Sequence, residues 1–195
     1  MKQKLLIFIP VLVIVAVIIA GCVFTRFGYE TPAYTVTQAD GGFEVRHYGE
    51  LTLVSVPMKR SVDDADGSFM RLFRYISKDN AGAEKISMTT PVLMSMDEKN
   101  TRMSFVMPTD TVAKGVPAPK GEGMRVEKLP AGHYAVHRFS GALDDNAASG
   151  AEKRLRDWMT AKKLATTGTI IVAGYDPPFT IPAMRRNEIL LRLAD

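Results

Sequence analysis

Three histidines, His47, His133 and His137, are the residues of this chain best suited to hold a metal or to move a proton near neutral pH. Two of them lie four apart in GHYAVHRF (132–139). On a helix that spacing would aim both at one ion. On a strand, four residues span ~13 Å, too far for two ligands each ~2 Å from a metal. The alternation of the segment marks a strand, so His133 and His137 are expected as polar positions on a solvated or half-buried strand rather than as a chelate. His47, in FEVRHYG (43–49), shares strand parity with Phe43 and Val45. If that face is core, His47 is a buried imidazole hydrogen-bonded to backbone. If the face lines an open cleft, His47 is the best axial ligand in the chain.

No other constellation competes. The chain has no G-x-S-x-G elbow, no Cys–His pair and no glycine-rich phosphate loop. No acid/base pair stands out, and no catalysis is expected. Asp63, Asp64 and Asp66 precede a helical stretch, where carboxylates complement the positive end of the dipole. Methionines in ISMTTPVLMSM and RMSFVMP keep strand parity, Met88, Met94 and Met96 on one face and Met103 and Met107 on another. Thioethers suit soft metals, but at this spacing they are expected as core filling.

The elements that must position these residues follow from period. YTVTQA, FEVRHY and LTLVSVPM alternate and are separated by Gly-containing turns, which predicts antiparallel strands. In SFMRLFRYIS (68–77), Phe69, Leu72, Phe73 and Ile76 fall on one helical stripe, and Ser68 is placed to cap it. Two further strands follow, with Pro91 suggesting an edge or a bulge, and then a Gly/Pro/Lys-rich loop (109–123). Strands at MRVEKLP and HYAVHRFSG, a helix over 144–163 carrying Leu155, Trp158 and Met159 on one side, and strands at GTIIVAGYD and NEILLRL complete the chain. Strand-strand-helix-strand-strand thus occurs twice, over 43–108 and 124–193. Two such units about a pseudo-two-fold predict an α+β domain, two helices against a curved antiparallel sheet.

Of the 195 residues, the first 21 read separately. Lys2 and Lys4 precede an uncharged apolar run from Leu5 to Ala20, and Ile19-Ala20-Gly21-Cys22 resembles a bacterial lipobox. The expectation is a signal peptide ending before a lipidated Cys22, or else a retained N-terminal anchor, since about 18 apolar residues nearly span a bilayer. Either places the rest outside the cytoplasmic membrane. Cys22 is the only cysteine, so no disulfide forms within one chain. Residues 22–33 read as a tether and 34–195 as the domain. Formal net charge is +4, falling to +2 without Lys2 and Lys4, and no clustered basic face suggests nucleic acid.

FEVRHYG (43–49), FMRLFRYIS before KISMTTPV (69–77, 85–92), FVMP (105–108) and GYDPPFTIPAMRRNEILL (174–191) together resemble the SOUL haem-binding family, in its order and across nearly all of the domain. The resemblance implies a distorted antiparallel barrel flanked by two helices, and non-covalent binding of haem or another tetrapyrrole. One mode it implies is a shallow apolar cleft beside the first helix. There Met70, Leu72, Phe73 and Ile76 would touch the ring, and Arg71 and Arg74 would pair with propionates. A second implied mode makes His47 the axial ligand of haem iron. The function expected is a membrane-anchored tetrapyrrole binder that buffers or passes on haem. The alternatives are an envelope adaptor without haem, or a binder of other flat apolar molecules.

Overall fold

A computed structural model describes residues 28–62, 66–97 and 100–194. The apolar N-terminal run, Cys22, Asp63 and Asp64 lie outside the described residues, and with them the expectations attached to those positions. In chain order the elements are β1 (Tyr34–Asp40), β2 (Phe43–Tyr48), β3 (Leu51–Pro57), α1 (Ser68–Ile76), β4 (Val92–Ser95), β5 (Arg102–Val106), α2 (Thr109–Lys114), β6 (Arg125–Leu129), β7 (Gly132–Phe139), α3 (Asp145–Ala161), β8 (Ile171–Gly174) and β9 (Asn187–Arg192). The short helix α2 falls within the segment expected to be loop. It follows Pro108 and has Asp110 in its first turn, both features that favour a helix start. Among the described residues no helix is long and apolar enough to cross a membrane.

The nine strands form one antiparallel sheet in the order β1-β2-β7-β9-β8-β4-β5-β3-β6. Exchanging the first repeat (β2, β3, β4, β5) for the second (β6, β7, β8, β9) reverses the order of those eight strands, which is the signature of a pseudo-two-fold. β1 is an addition at one edge. It pairs with β2 through the hairpin at Asp40–Phe43, where Gly41 takes φ 59°, a conformation that suits glycine.

Gly49-Glu50, expected as a turn, and Pro130-Ala131, between β6 and β7, are both crossovers. β2 pairs with β1 and β7, and β3 with β5 and β6. In sheet order β2 and β3 lie six places apart, as do β6 and β7. On a flat sheet that is ~29 Å at ~4.8 Å per strand, whereas a two-residue link reaches only ~10 Å. The sheet must therefore curl until its two ends approach, and this produces the distorted barrel.

Each face of the curled sheet has its own apolar cluster. The helix-side cluster takes Val45, Val54, Ala135, Ile189 and Leu191 from strands, Leu72 and Ile76 from α1, and Leu155 and Trp158 from α3. Met94, Met103 and Met107 are buried there too, consistent with core filling. The opposite face gathers Tyr48, Leu93, Tyr134, Tyr175 and Leu190. Pro91 sits just before β4, an interior strand between β8 and β5, and is neither an edge nor a bulge residue.

Helix starts differ in how they are satisfied. Asp144 caps α3, its carboxylate accepting from the Ala147 N–H at 2.8 Å. For α1 the cap residue is Gly67, at φ 74°, and the hydroxyl of Ser68 does not cap. Instead Asp66 accepts from the N–H of Ser68 at 3.0 Å and of Lys59 at 2.6 Å. Burial opposes its charge, but these bonds and Arg71 hold its carboxyl below the usual range.

Candidate functional site

His47 is exposed, although Val45, two residues earlier on the same face, is buried. The helix-side core gives out before the C-terminal end of β2, so the expectation of a buried imidazole does not describe His47. Its cross-strand partner is His133 on β7. The ring centroids lie 5.0 Å apart, tilted by 60°. Both rings are exposed, and among the described residues neither has a hydrogen-bond partner.

His137 behaves differently despite sharing His133's parity. It is 8% exposed and stacks on Phe43 at 4.3 Å. Its Nδ1 lies 3.1 Å from the Gly42 carbonyl, and Arg154 Nε donates to Nε2 at 3.2 Å. Those contacts define a neutral ring with its proton on Nδ1. Burial first, and then the Arg154 charge, lower its pKa against the contrary pull of the Gly42 carbonyl. Trp158 also stacks on Phe43, at 5.4 Å, and its indole donates to Asp40 at 3.1 Å. His137 is thus a structural residue that locks α3 to the β1–β2 hairpin.

The α1 side chains divide. Leu72 and Ile76 are buried in the core, whereas Met70 and Phe73 are 51% and 42% exposed. Leu72 and Ile76, both expected to touch a ring, are therefore not available at the helix surface. Arg71 is held by the Pro57 carbonyl and the Ser68 hydroxyl, while Arg74 is exposed. Burial, and then the charges of Arg125 and Arg71, hold the Arg102 guanidinium below its usual range despite Glu127, which pairs with both Arg102 and Arg125. The structure does not join the two expected sites: α1 packs on β3 and β5, and His47 lies on β2.

A buried ionic cluster escaped the reading of the sequence. On the face opposite His47, Arg46 forms a two-pronged pair with Glu188 at 2.8 and 3.1 Å. Tyr175 donates to Glu188 at 2.9 Å, Arg186 donates to it at 2.7 and 2.9 Å, and Arg46 also meets Tyr48 and Glu44. Arg46 stands over the Tyr34 ring, and Arg186 over Tyr175. Burial opposes both charges, but the mutual bonds prevail, lowering the Glu188 pKa and raising that of Arg46. Burial pushes Tyr48 up to about 12. A lone glutamate inside the apolar run NEILLRL was the available signal.

Cavities are modest. One on the tyrosine side, lined by Tyr48, Leu93, Tyr134 and Tyr175 among others, holds about 20 Å³, and one beside α3, lined by Arg60, Asp145 and Ile170 among others, about 260 Å³. Both lie below the ~300–1,000 Å³ usual for enclosed ligand pockets.

The chain is a two-repeat α+β domain with two exposed imidazoles on one strand pair and exposed apolar side chains on α1. The family described as SOUL heme-binding protein matches residues 29–192, and the chain belongs to that family. No curated protein matches it in sequence. Among solved structures, the EcmrR C-terminal domain is similar with TM-score 0.52 at 15% identity, over 83% of this chain and 98% of that one. A hydrolase from Listeria innocua is similar with TM-score 0.56 at 12% identity, over 81% and 94%. An uncharacterized conserved protein from Listeria innocua gives 0.55 at 12%, over 78% and 92%. At these identities the likeness is one of fold.

Proposed function

We propose that this chain binds haem non-covalently on an open face, with His47 as axial ligand, and serves as a non-catalytic tetrapyrrole carrier or buffer. Membership of the SOUL family supports the ligand class. The observation that carries the residue is the exposed His47 ring with no hydrogen bond to the protein among the described residues, because an axial ligand needs a free nitrogen lone pair. Apolar burial of the macrocycle supplies affinity. The proposal includes an extracytoplasmic membrane location, through lipidation of Cys22 or retention of the apolar segment before it. This rests on the lipobox-like Ile19-Ala20-Gly21-Cys22.

A second mode is favoured by the exposed Met70 and Phe73 on the same helix as the exposed Arg74. Here haem lies on α1 with its propionates toward arginine and its iron unligated by protein.

Titration with ferric haem, followed by the Soret band, tests both. Saturable binding whose ligation shift disappears in His47→Ala supports axial ligation. Equal spectra for both proteins, with binding weakened by Phe73→Ser, would favour the α1 surface. No saturable binding would remove haem as ligand. Incorporation of labelled fatty acid into the wild-type chain, and its loss in Cys22→Ser, tests the anchor.

A further inference from the structure

We propose that His47 and His133 together form a two-imidazole site for a divalent first-row transition cation, independent of haem. They are register partners on adjacent antiparallel strands. The carbonyl of His133 accepts the Leu193 N–H on the side away from β2. Because the N–H and C=O of one strand residue point the same way, His47 and His133 form a non-hydrogen-bonded pair, the kind whose side chains approach closest.

The ring separation matches a shared ion. An imidazole nitrogen sits ~1.1 Å from its ring centre and ~2.0–2.1 Å from Zn²⁺, so two rings on one tetrahedral ion have centres about 5 Å apart. The observed separation is 5.0 Å. Two rings on the same side of one sheet cannot take opposite faces of a porphyrin, so His133 is not a second axial ligand to haem. Cis coordination of a small ion is the arrangement this pair offers. Neither ring is tied by a hydrogen bond among the described residues, so each can turn its lone pair to the ion. Rotation about the side-chain bonds of exposed residues is inexpensive.

The ligand type sets the metal class. Imidazole suits Cu²⁺, Ni²⁺ and Zn²⁺, and Cu²⁺ binds most tightly of the three. Among the described residues no group of three or more His, Cys, Asp or Glu could hold a metal, so water completes the coordination sphere. Thr35, the neighbour of His47 on β1, shares its face and can hydrogen-bond such a water. The pair was invisible to the spacing argument, which compared His133 only with His137 on its own strand.

Calorimetric titration of the full chain with ZnCl₂ and with NiCl₂, in the absence of haem, is the test. One-to-one saturable binding is expected, about 100-fold weaker in His47→Ala and in His133→Ala. The double variant should show no saturable binding, because each single variant retains one imidazole and the double variant none. His137→Ala serves as a control with unchanged affinity. Binding that survives His133→Ala undiminished, or no saturable binding in the wild-type chain, overturns the proposal. Circular dichroism of each variant confirms that both exposed positions tolerate substitution. Since haem is absent throughout, this result and the haem titration stand or fall separately.

Discussion

Arg46 and Glu188 stand 142 residues apart in the chain yet meet as a two-pronged ion pair with side chains 2% and 0% exposed. The pair joins β2, next to the edge strand β1, to β9 across β7, and its remaining polar atoms are taken by Tyr48, Tyr175, Glu44 and Arg186. Full satisfaction is what lets two charges lie beneath the tyrosine cluster. Once either partner is removed, the other stays buried with only part of its compensation, Arg186 for Glu188 and Glu44 for Arg46.

Glu188→Gln or Arg46→Met should each cost about 3–5 kcal/mol, read from urea unfolding midpoints. A loss below about 1 kcal/mol would mean that the surviving charge has found water, and the cluster would not be the anchor described.

The same cluster sets limits in pH. Glu188 has a depressed folded pKa, so its contribution is present above its ordinary value near 4.5 and is lost as pH falls through the lower folded value. His137, also lowered from 6.5, adds stability that is present above 6.5 and declines as pH falls below it. Tyr48 is raised from 10.0 to about 12, so its contribution is intact below pH 10 and disappears as pH climbs to 12. Melting temperatures measured from pH 3 to 12 should fall at both ends, and Tyr48→Phe should flatten the alkaline limb.

Helix α1 should separate stability from binding. Leu72, fully buried, should cost about 2–5 kcal/mol on truncation to Ala. Phe73→Ser and Met70→Ser, on the exposed side, should change stability by less than about 0.5 kcal/mol. Parallel denaturation and haem titration on the three variants checks this. A large stability loss from Phe73→Ser would make that ring part of the core and unavailable to a ligand.

Gly123 takes φ 65°, and a Cβ there would meet Pro57 Cγ at 2.9 Å. Both the left-handed backbone and the crowding penalise a side chain. Gly123→Ala should lower the melting temperature by several degrees for a loss of about 1 kcal/mol or more, measured by calorimetry.

Much of the architecture was legible locally. Alternation in FEVRHY and the stripe in SFMRLFRYIS placed β2 and α1, and the recurrence of strand-strand-helix-strand-strand announced the pseudo-two-fold that the sheet order displays. Phe73 was misplaced because helical spacing alone cannot tell a buried stripe from its margin. In the structure Tyr75 occupies the core and Phe73 faces out. Ser68 lost the capping role because its hydroxyl and its own N–H both donate to Asp66, two residues earlier, and the cap falls one residue sooner, at Gly67.

By itself the sequence determined the period of each segment, the two-repeat order, the family, and which side chains share a face of their own strand. Only the tertiary structure decided which strand lies beside which. Gly49-Glu50 and Pro130-Ala131 are short links, yet each carries the chain across the opening of a curled sheet. That choice pairs β2 with β7, setting His47 against His133, and brings β9 close enough for Glu188 to meet Arg46. The physical reason is that side-chain alternation is a property of one strand. Cross-strand neighbours depend on closure of the whole sheet, and no local pattern records that.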